Sequence, residues 1–186
     1  KVIVNSLDFK KKFKIQFGIN AEYIYNPLNK SEIIKKSKIK SKIKFDRKKL
    51  KLINIGRYTD QKDQLTLLKA VNRIKDKIRF NLLLVGRGVE KKNLYKYIHE
   101  NNLSKQVKLL DFQNNPFNLI KSSDVFILSS IYEGLPNVLL ESQVLKKFII
   151  SSDCPTGPRE ILLNGKAGFL FNVGNYLELS NLILRY

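Results

Sequence analysis

LINIGRYTDQKDQLTLLKAVNRIKDKIRFNLLLVG, running from Leu52 to Gly86, decides the fold. Its two ends are short runs of Leu, Ile, Val and Phe that stop on glycine, and its middle, Asp63 to Asp76, carries apolar residues at helical spacing. A strand open to water on one face alternates apolar and polar residues, whereas these runs are nearly continuous in apolar residues, broken only by Asn54 and Asn81, as strands covered on both faces require. The unit reads strand, helix, parallel strand. Val107–Leu110, Asp124–Ser130, Phe148–Ser152 and Gly168–Phe171 repeat the strand pattern. Val89–Asn102, Pro116–Ser123, Pro136–Lys147, Gly157–Gly165 and the tail from Tyr176 repeat the helical one. The prediction is an α/β fold, a doubly wound Rossmann-like parallel sheet with right-handed crossovers and helices on both faces. Such sheets bind ligands beyond the carboxyl ends of their strands, so chemistry is expected in the loops after Ile55, Val85, Leu110, Ser129 and Ile150.

Around this core the chain is ordinary in hydrophobicity and unusual in charge. Of 186 residues 43% are hydrophobic, which excludes a disordered composition, while 35 Lys and Arg against 16 Asp and Glu give +19. Residues 1–51 hold 16 basic and 4 acidic side chains, so most of the excess lies ahead of the regular pattern. Its densest part, KSKIKSKIKFDRKKLK from Lys36 to Lys51, has two open readings. It is a solvated linker or strand edge, or it is a surface for phosphates or anionic lipid. Abundant Lys, Asn and Ile also fit a compositional bias that needs no ligand.

The lone Cys154 forms no internal disulfide, and with a single histidine, His99, and no tight Asp/Glu cluster, no metal or other cofactor is expected. No apolar run reaches the roughly 18–20 residues of a membrane span, so a cytoplasmic location is expected. Methionine is absent, even at position 1, and the chain reads as a piece of a longer protein. Ahead of the regular pattern, Val2–Ser6 reads as a strand, LDFKKKFKIQFG as a helix ending at Gly18, and YIYN as a short strand before a turn at Pro27.

Two loops carry candidate chemistry. In GRYTDQK, Gly56 closes a strand, Arg57 follows, and Lys62 stands just before the helix opened by Asp63. Two cations beside a helix start suit a diphosphate. In IYEGLPNVLLES, Gly134 permits close backbone approach and Pro136 suits the first turn of a helix. The amides of Leu135, Pro136's neighbour Asn137, and Val138 then face whatever lies above the strand end. Glu133 and Glu141 flank that place, natural partners for sugar hydroxyls or, in a competing reading, the carboxylate pair of a glycoside hydrolase.

Together, Gly56-Arg57…Lys62, the Glu133-Gly-Leu-Pro-Asn-Val-Leu-Leu-Glu141 segment and Asp153-Cys-Pro-Thr-Gly-Pro-Arg-Glu160 resemble the group 1, family 4 retaining glycosyltransferases of the GT-B fold. The resemblance spans about Val2 to Phe171 and is to the carboxyl-terminal, nucleotide-sugar-binding half. It implies that residues 1–45 are the end of an amino-terminal acceptor domain with its hinge, and residues 46–186 the donor domain. It implies that Arg57 and Lys62 neutralise the donor diphosphate without a metal. Glu133 would face the donor sugar, the Gly134 to Val138 backbone the sugar and phosphate, and Glu141 the ribose hydroxyls. The base would lie by Leu110 and Asp111, where Asp111 replaces a glycine frequent in the family. Asp153–Glu160 would wall the cleft.

The implied partners are a nucleotide-sugar donor, preferably UDP-linked, a glycan or lipid-linked acceptor, and an anionic membrane surface for the basic front. The isolated 186 residues are expected to transfer little sugar. A dinucleotide oxidoreductase is disfavoured because Gly86-Arg87-Gly88 lacks the third glycine of that fingerprint, and this turn is expected to be structural. Tyr95, Tyr97 and Phe112 are expected to be packing residues instead of a base-stacking platform, and His99 to face solvent. A nucleic-acid-binding module, which would use the Lys-rich front, is the alternative of a different class, and nucleic acid is the less favoured partner.

Overall fold

The computed structural model describes all residues, 1–186. A small front unit comes first: β1 (Ile3–Val4), α1 (Leu7–Phe17) and β2 (Glu22–Tyr23), with β1 and β2 paired in parallel. Ser6 caps α1 by accepting from the Phe9 amide at 3.1 Å, and Gly18 closes it at φ 68°, the left-handed position glycine tolerates. The front strands are shorter than the sequence suggests, and the second lies a residue earlier.

Helix α2 (Lys30–Ser37) follows, opened by Asn29, whose side chain accepts from the Glu32 amide at 3.0 Å. The sequence pattern did not reveal it, because the lysine run obscures its one buried apolar anchor, Ile33. Lys36 and Ser37 end that helix and residues 38–49 are irregular, so the strand-edge reading of the run is corrected: pairing starts only at Leu50.

Six parallel strands then form the main sheet, in the order β5-β4-β3-β6-β7-β8. They are β3 (Leu50–Ile55), β4 (Phe80–Val85), β5 (Val107–Leu110), β6 (Val125–Leu128), β7 (Phe148–Ser152) and β8 (Phe169–Phe171). Between and after them run α3 (Gln64–Ile74), α4 (Lys91–Glu100), α5 (Phe117–Ser122), α6 (Asn137–Val144), α7 (Pro158–Ile161) and α8 (Tyr176–Arg185). Successive strand residues enter opposite cores. Leu52, Leu82, Leu84 and Ile127 pack with Leu67, Leu94 and Leu179, whereas Ile53, Leu83, Val85 and Phe126 pack with Ile33, Leu119, Leu139 and Ile161. Both faces being covered explains the nearly continuous apolar runs.

The order reverses between β3 and β6, so the crevice at this switch point opens between the loops that follow them. The two strands pair only at Leu52–Val125 and Ile53–Phe126 and then diverge. The buried Asn54 side chain bridges the split, donating from Nδ2 to the Ile127 carbonyl at 2.9 Å.

Next to it, β3 and β4 approach so closely that a Cβ on Gly86 would lie 1.9 Å from the Gly56 carbonyl oxygen. Gly86→Ala is expected to lower the melting temperature by roughly 4–8 °C, from about 2 kcal/mol of overpacking. Calorimetry checks this; a shift under one degree would show that the strand ends part freely.

Candidate functional site

The loop after β3 and the loop after β6 meet at the switch point. Asp60–Lys62 forms one 3-10 turn, and Asp63, at φ 41°, then opens α3 by accepting from the Thr66 amide at 3.1 Å. That turn holds the far loop: the Gln61 carbonyl accepts from the Ile131 amide at 2.8 Å, Gln61 Nε2 donates to the Tyr132 carbonyl at 3.0 Å, and Ser129 Oγ donates to the Lys62 carbonyl at 2.9 Å. Lys62 and Glu133 are thereby brought together. Nζ donates to Oε1 at 2.5 Å, with side chains 17% and 7% exposed. Ser130 Oγ donates to the same Oε1 at 2.6 Å. Arg57 stands exposed at the mouth, its guanidinium 3.5 Å from Gln61 Oε1, with its carbonyl held by the buried Gln64 side chain at 2.9 Å. Gly56 is at ordinary contact distance from Lys62, 3.5 Å from its Cδ, so the glycine that the geometry demands is Gly86.

The loop Glu133–Pro136 is fixed from behind. The Glu133 amide donates to the Pro155 carbonyl at 3.2 Å, and Thr156 Oγ1 donates to the Glu133 carbonyl. Gly157, at φ 90°, fits only as glycine, since a Cβ would sit 2.6 Å from the Gly134 carbonyl and from Pro136 Cδ. Pro136 precedes α6 in an extended conformation instead of standing in its first turn, a correction of one position. The amides of Gly134, Leu135, Asn137 and Val138 donate to no group of the chain. This is the unsatisfied set that a helix start presents to an anion. Glu141 lies one turn further along α6, half-buried and without an ion pair, and burial pushes its carboxyl above the usual carboxylate range.

On the other side of Arg57 a cavity of about 260 Å³ opens beyond β3, β4 and β5. Its walls include Arg57, Gly86, Arg87, Phe112, Gln113 and Pro116. Two expectations fail here. Phe112 is 59% exposed and Tyr95 66%, so neither packs in the core, although Tyr97 does and His99 faces solvent. The glycines of the Gly86–Gly88 turn are structural as expected, but Arg87 between them lies in the cavity wall, its guanidinium 5.4 Å from the Phe112 ring centroid.

Leu110 and Asp111 border this place without offering obvious contacts. The Leu110 carbonyl accepts from the Gly86 amide at 3.0 Å and lies 2.7 Å from the Tyr58 hydroxyl, and Asp111 turns to Lys91 at 2.5 Å. Tyr58, absent from the sequence-level candidates, is fully buried and its hydroxyl also meets the Leu84 carbonyl at 2.7 Å. Burial pushes that phenol upward and keeps it neutral.

Within Asp153–Glu160, Arg159 pairs with Asp153 while Glu160 reaches the front unit. Glu160 accepts from the Leu7 and Asp8 amides, both at 3.2 Å, and from the Tyr25 hydroxyl, a bond that pushes the phenol up to about 12. Asn26 Nδ2 donates to Asn137 Oδ1 at 2.8 Å, and Asn5 lies against Gly134. The front unit therefore touches the candidate loop itself.

Two cations, a buried carboxylate and free helix-start amides thus stand together at the switch point of a doubly wound sheet, an arrangement chemically able to hold a phosphorylated, hydroxyl-bearing ligand. The chain belongs to the family Glycosyl transferases group 1, whose sequence model matches residues 35–186. It is 45% identical over 111 residues to the uncharacterised glycosyltransferase MJ1059 of Methanocaldococcus jannaschii, covering 59% of this chain and 27% of that protein. It is 32% identical over 156 residues to the N-acetylgalactosamine-N,N'-diacetylbacillosaminyl-diphospho-undecaprenol 4-alpha-N-acetylgalactosaminyltransferase of Campylobacter jejuni, covering 83% of this chain and 40% of that one. The chain thus spans less than half the length of these relatives. Its fold matches Staphylococcus aureus TarM, crystallised with UDP among its ligands, at a TM-score of 0.84 and 21% identity over 99% of this chain and 36% of TarM. The architecture is the Rossmann-like parallel sheet of the GT-B glycosyltransferases. No helix is long and apolar enough to cross a membrane.

Proposed function

We propose that this chain binds the nucleotide-sugar donor of a retaining glycosyltransferase, taking a UDP-linked hexose or N-acetylhexosamine for transfer to a glycan or lipid-linked acceptor in glycoconjugate synthesis. The observation that carries this is the meeting of Lys62 with Glu133 at the switch point, 71 residues apart and nearly dry. A carboxylate and an ammonium there match a ligand with a charged and a hydroxylated part. Glu133 Oε1 carries the bonds from Lys62 and Ser130, which leaves Oε2 for a sugar hydroxyl. The C. jejuni relative's name gives an acceptor bearing diphospho-undecaprenol, and TarM was crystallised with UDP; both fit this reading.

In the reaction, the bond from the anomeric carbon to the β-phosphate oxygen breaks while the acceptor oxygen bonds on the same face and its proton passes to the departing phosphate. Arg57 and Lys62 offset the charge that develops on the diphosphate, with no metal in the scheme. Preorganised charge of this kind supplies several kcal/mol of barrier lowering. Glu141 would accept from the ribose hydroxyls. Arg87 and Phe112 would face the base in the adjoining cavity, supplying the aromatic and guanidinium surfaces on which a base stacks. On that account Phe112→Ala is expected to weaken UDP binding roughly 5- to 30-fold, from about 1–2 kcal/mol of stacking, and calorimetric titration reads the change. An unaltered dissociation constant would remove Phe112 from the base site.

The overall test is thermal stability of the chain with UDP, GDP or NAD. UDP is expected to stabilise most and NAD not at all; no response to UDP or GDP ends the proposal. Residues 1–186 alone are expected to transfer little or no sugar, and robust turnover would refute that.

A further inference from the structure

At the opposite, amino-terminal edge of the main sheet two adjoining cavities of about 290 and 380 Å³ share Lys49, Lys105 and Gln106. Six cations line them: Lys44 and Lys49 from the segment before β3, Lys75 and Arg79 from the α3–β4 connection, Lys105 and Lys108 from the approach to and start of β5. The fold gathers these charges from three separate stretches, so they are not one lysine-rich run seen edge-on. One carboxylate, Asp46, lines the cavities, and it is engaged by Lys49 at 3.3 Å.

Cations below helix carboxyl termini ease the helix dipole, and Lys75 does this, donating to the Asn101 carbonyl at the end of α4 at 2.9 Å. That explanation does not reach Lys44, Arg79, Lys105 or Lys108, none of which forms an ion pair. Like charges gathered in a concavity repel one another unless an anion lies between them. Gln106 lines both cavities and adds a second kind of demand, because its Oε1, closed to solvent, finds no donor in the chain, and a turn of the side chain toward a ligand hydroxyl would supply one. A phosphate ester that also carries a hydroxyl answers both, with oxygens for the cations and an O–H for Gln106.

We propose that this edge is a second anion site, separate from the donor crevice, which takes a hydroxyl-bearing phosphate ester supplied as a soluble molecule or as a phospholipid headgroup. It lies at the far end of the strands from Lys62 and Glu133, so its occupation does not compete with a donor. The site also gives the basic front a use, since Lys44 and Lys49 close the run that begins at Lys36.

The test compares the chain with Arg79→Glu/Lys105→Glu and with Lys92→Glu/Lys166→Glu, a control that changes net charge equally at exposed positions elsewhere. Circular dichroism and melting establish that both variants fold. One arm titrates glycerol 1-phosphate by calorimetry; the other co-sediments the proteins with phosphatidylcholine vesicles with and without phosphatidylglycerol, both at physiological ionic strength. Binding is expected to fall tenfold or more in the first variant and less than twofold in the control. Such loss in the vesicle arm alone assigns the ester to a lipid headgroup, and loss in the soluble arm assigns it to a free molecule. Equal loss in both variants, or no binding by the unaltered chain in either arm, overturns the site.

Discussion

Lys62→Met is expected to lower kcat/KM by a factor of about 100 to 1,000 in an enzyme that contains this domain, the loss typical of removing one preorganised charge from a developing anion. The same change also harms the fold. It strands Glu133, 7% exposed, with Ser130 as its remaining partner, at a cost of about 2–3 kcal/mol. Activity alone would not separate these effects. Lys62→Met combined with Glu133→Gln does, because the stranded charge disappears and the amide still accepts from Ser130. Most of the lost stability is expected to return in the double variant, while turnover stays well below that of Glu133→Gln alone, which keeps the Lys62 charge. Urea denaturation and initial rates measure the two quantities on the same preparations. Recovery of both together would make the pair a structural ion pair and take Lys62 out of the chemistry.

The pair also shows what was legible before the fold was known. Lys62 stood out as one of two cations beside a helix start and Glu133 as one of two carboxylates flanking another, and the alternation of strands and helices said where those starts are. Their bond at 2.5 Å depends on strand order, which sets β3 beside β6 and so joins two residues 71 positions apart. No local pattern records that.

Strand positions in the sheet were readable because residues such as Leu83 and Leu84 face opposite cores, which favours apolar side chains at successive positions. Helix α2 was not, since only two buried residues, Ile33 and the polar Ser37, anchor it among lysines. Phe112 was misjudged for a related reason: aromatic residues usually pack, and nothing near it in sequence shows that the chain turns outward there to meet Arg87. The demands on Gly86 and Gly157 are not local either. Each is required by the backbone of another segment, Gly56 in one case and Gly134 in the other.

Glu141→Gln is expected to raise the melting temperature of the free chain while nearly abolishing its response to UDP. The first effect follows from burial, which holds the carboxyl above its ordinary range. A group whose folded pKa is raised in this way favours the folded state while protonated. Its contribution is present below the unfolded value of about 4.3 and is lost as pH rises from there through the folded value. At pH 7 the folded chain therefore carries a penalty that glutamine removes. Because the side chain is only partly buried the gain is small, about 0.5 kcal/mol or roughly 1–2 °C, and it vanishes near pH 4.

The second effect is larger and opposite in sense. UDP at a hundred times its dissociation constant stabilises by about 2.7 kcal/mol, roughly 5–10 °C for a chain of this size. Replacing a charged acceptor of two ribose hydroxyls by an amide is expected to weaken binding about 100-fold, from some 2–3 kcal/mol. At the same UDP concentration that leaves about 0.4 kcal/mol, near one degree. A variant that is merely damaged melts earlier both with and without nucleotide, whereas a lost ribose contact melts later without it and scarcely moves with it. Scans at pH 7 with and without UDP separate the two. A UDP shift in Glu141→Gln equal to that of the unaltered chain would show that the ribose is held elsewhere.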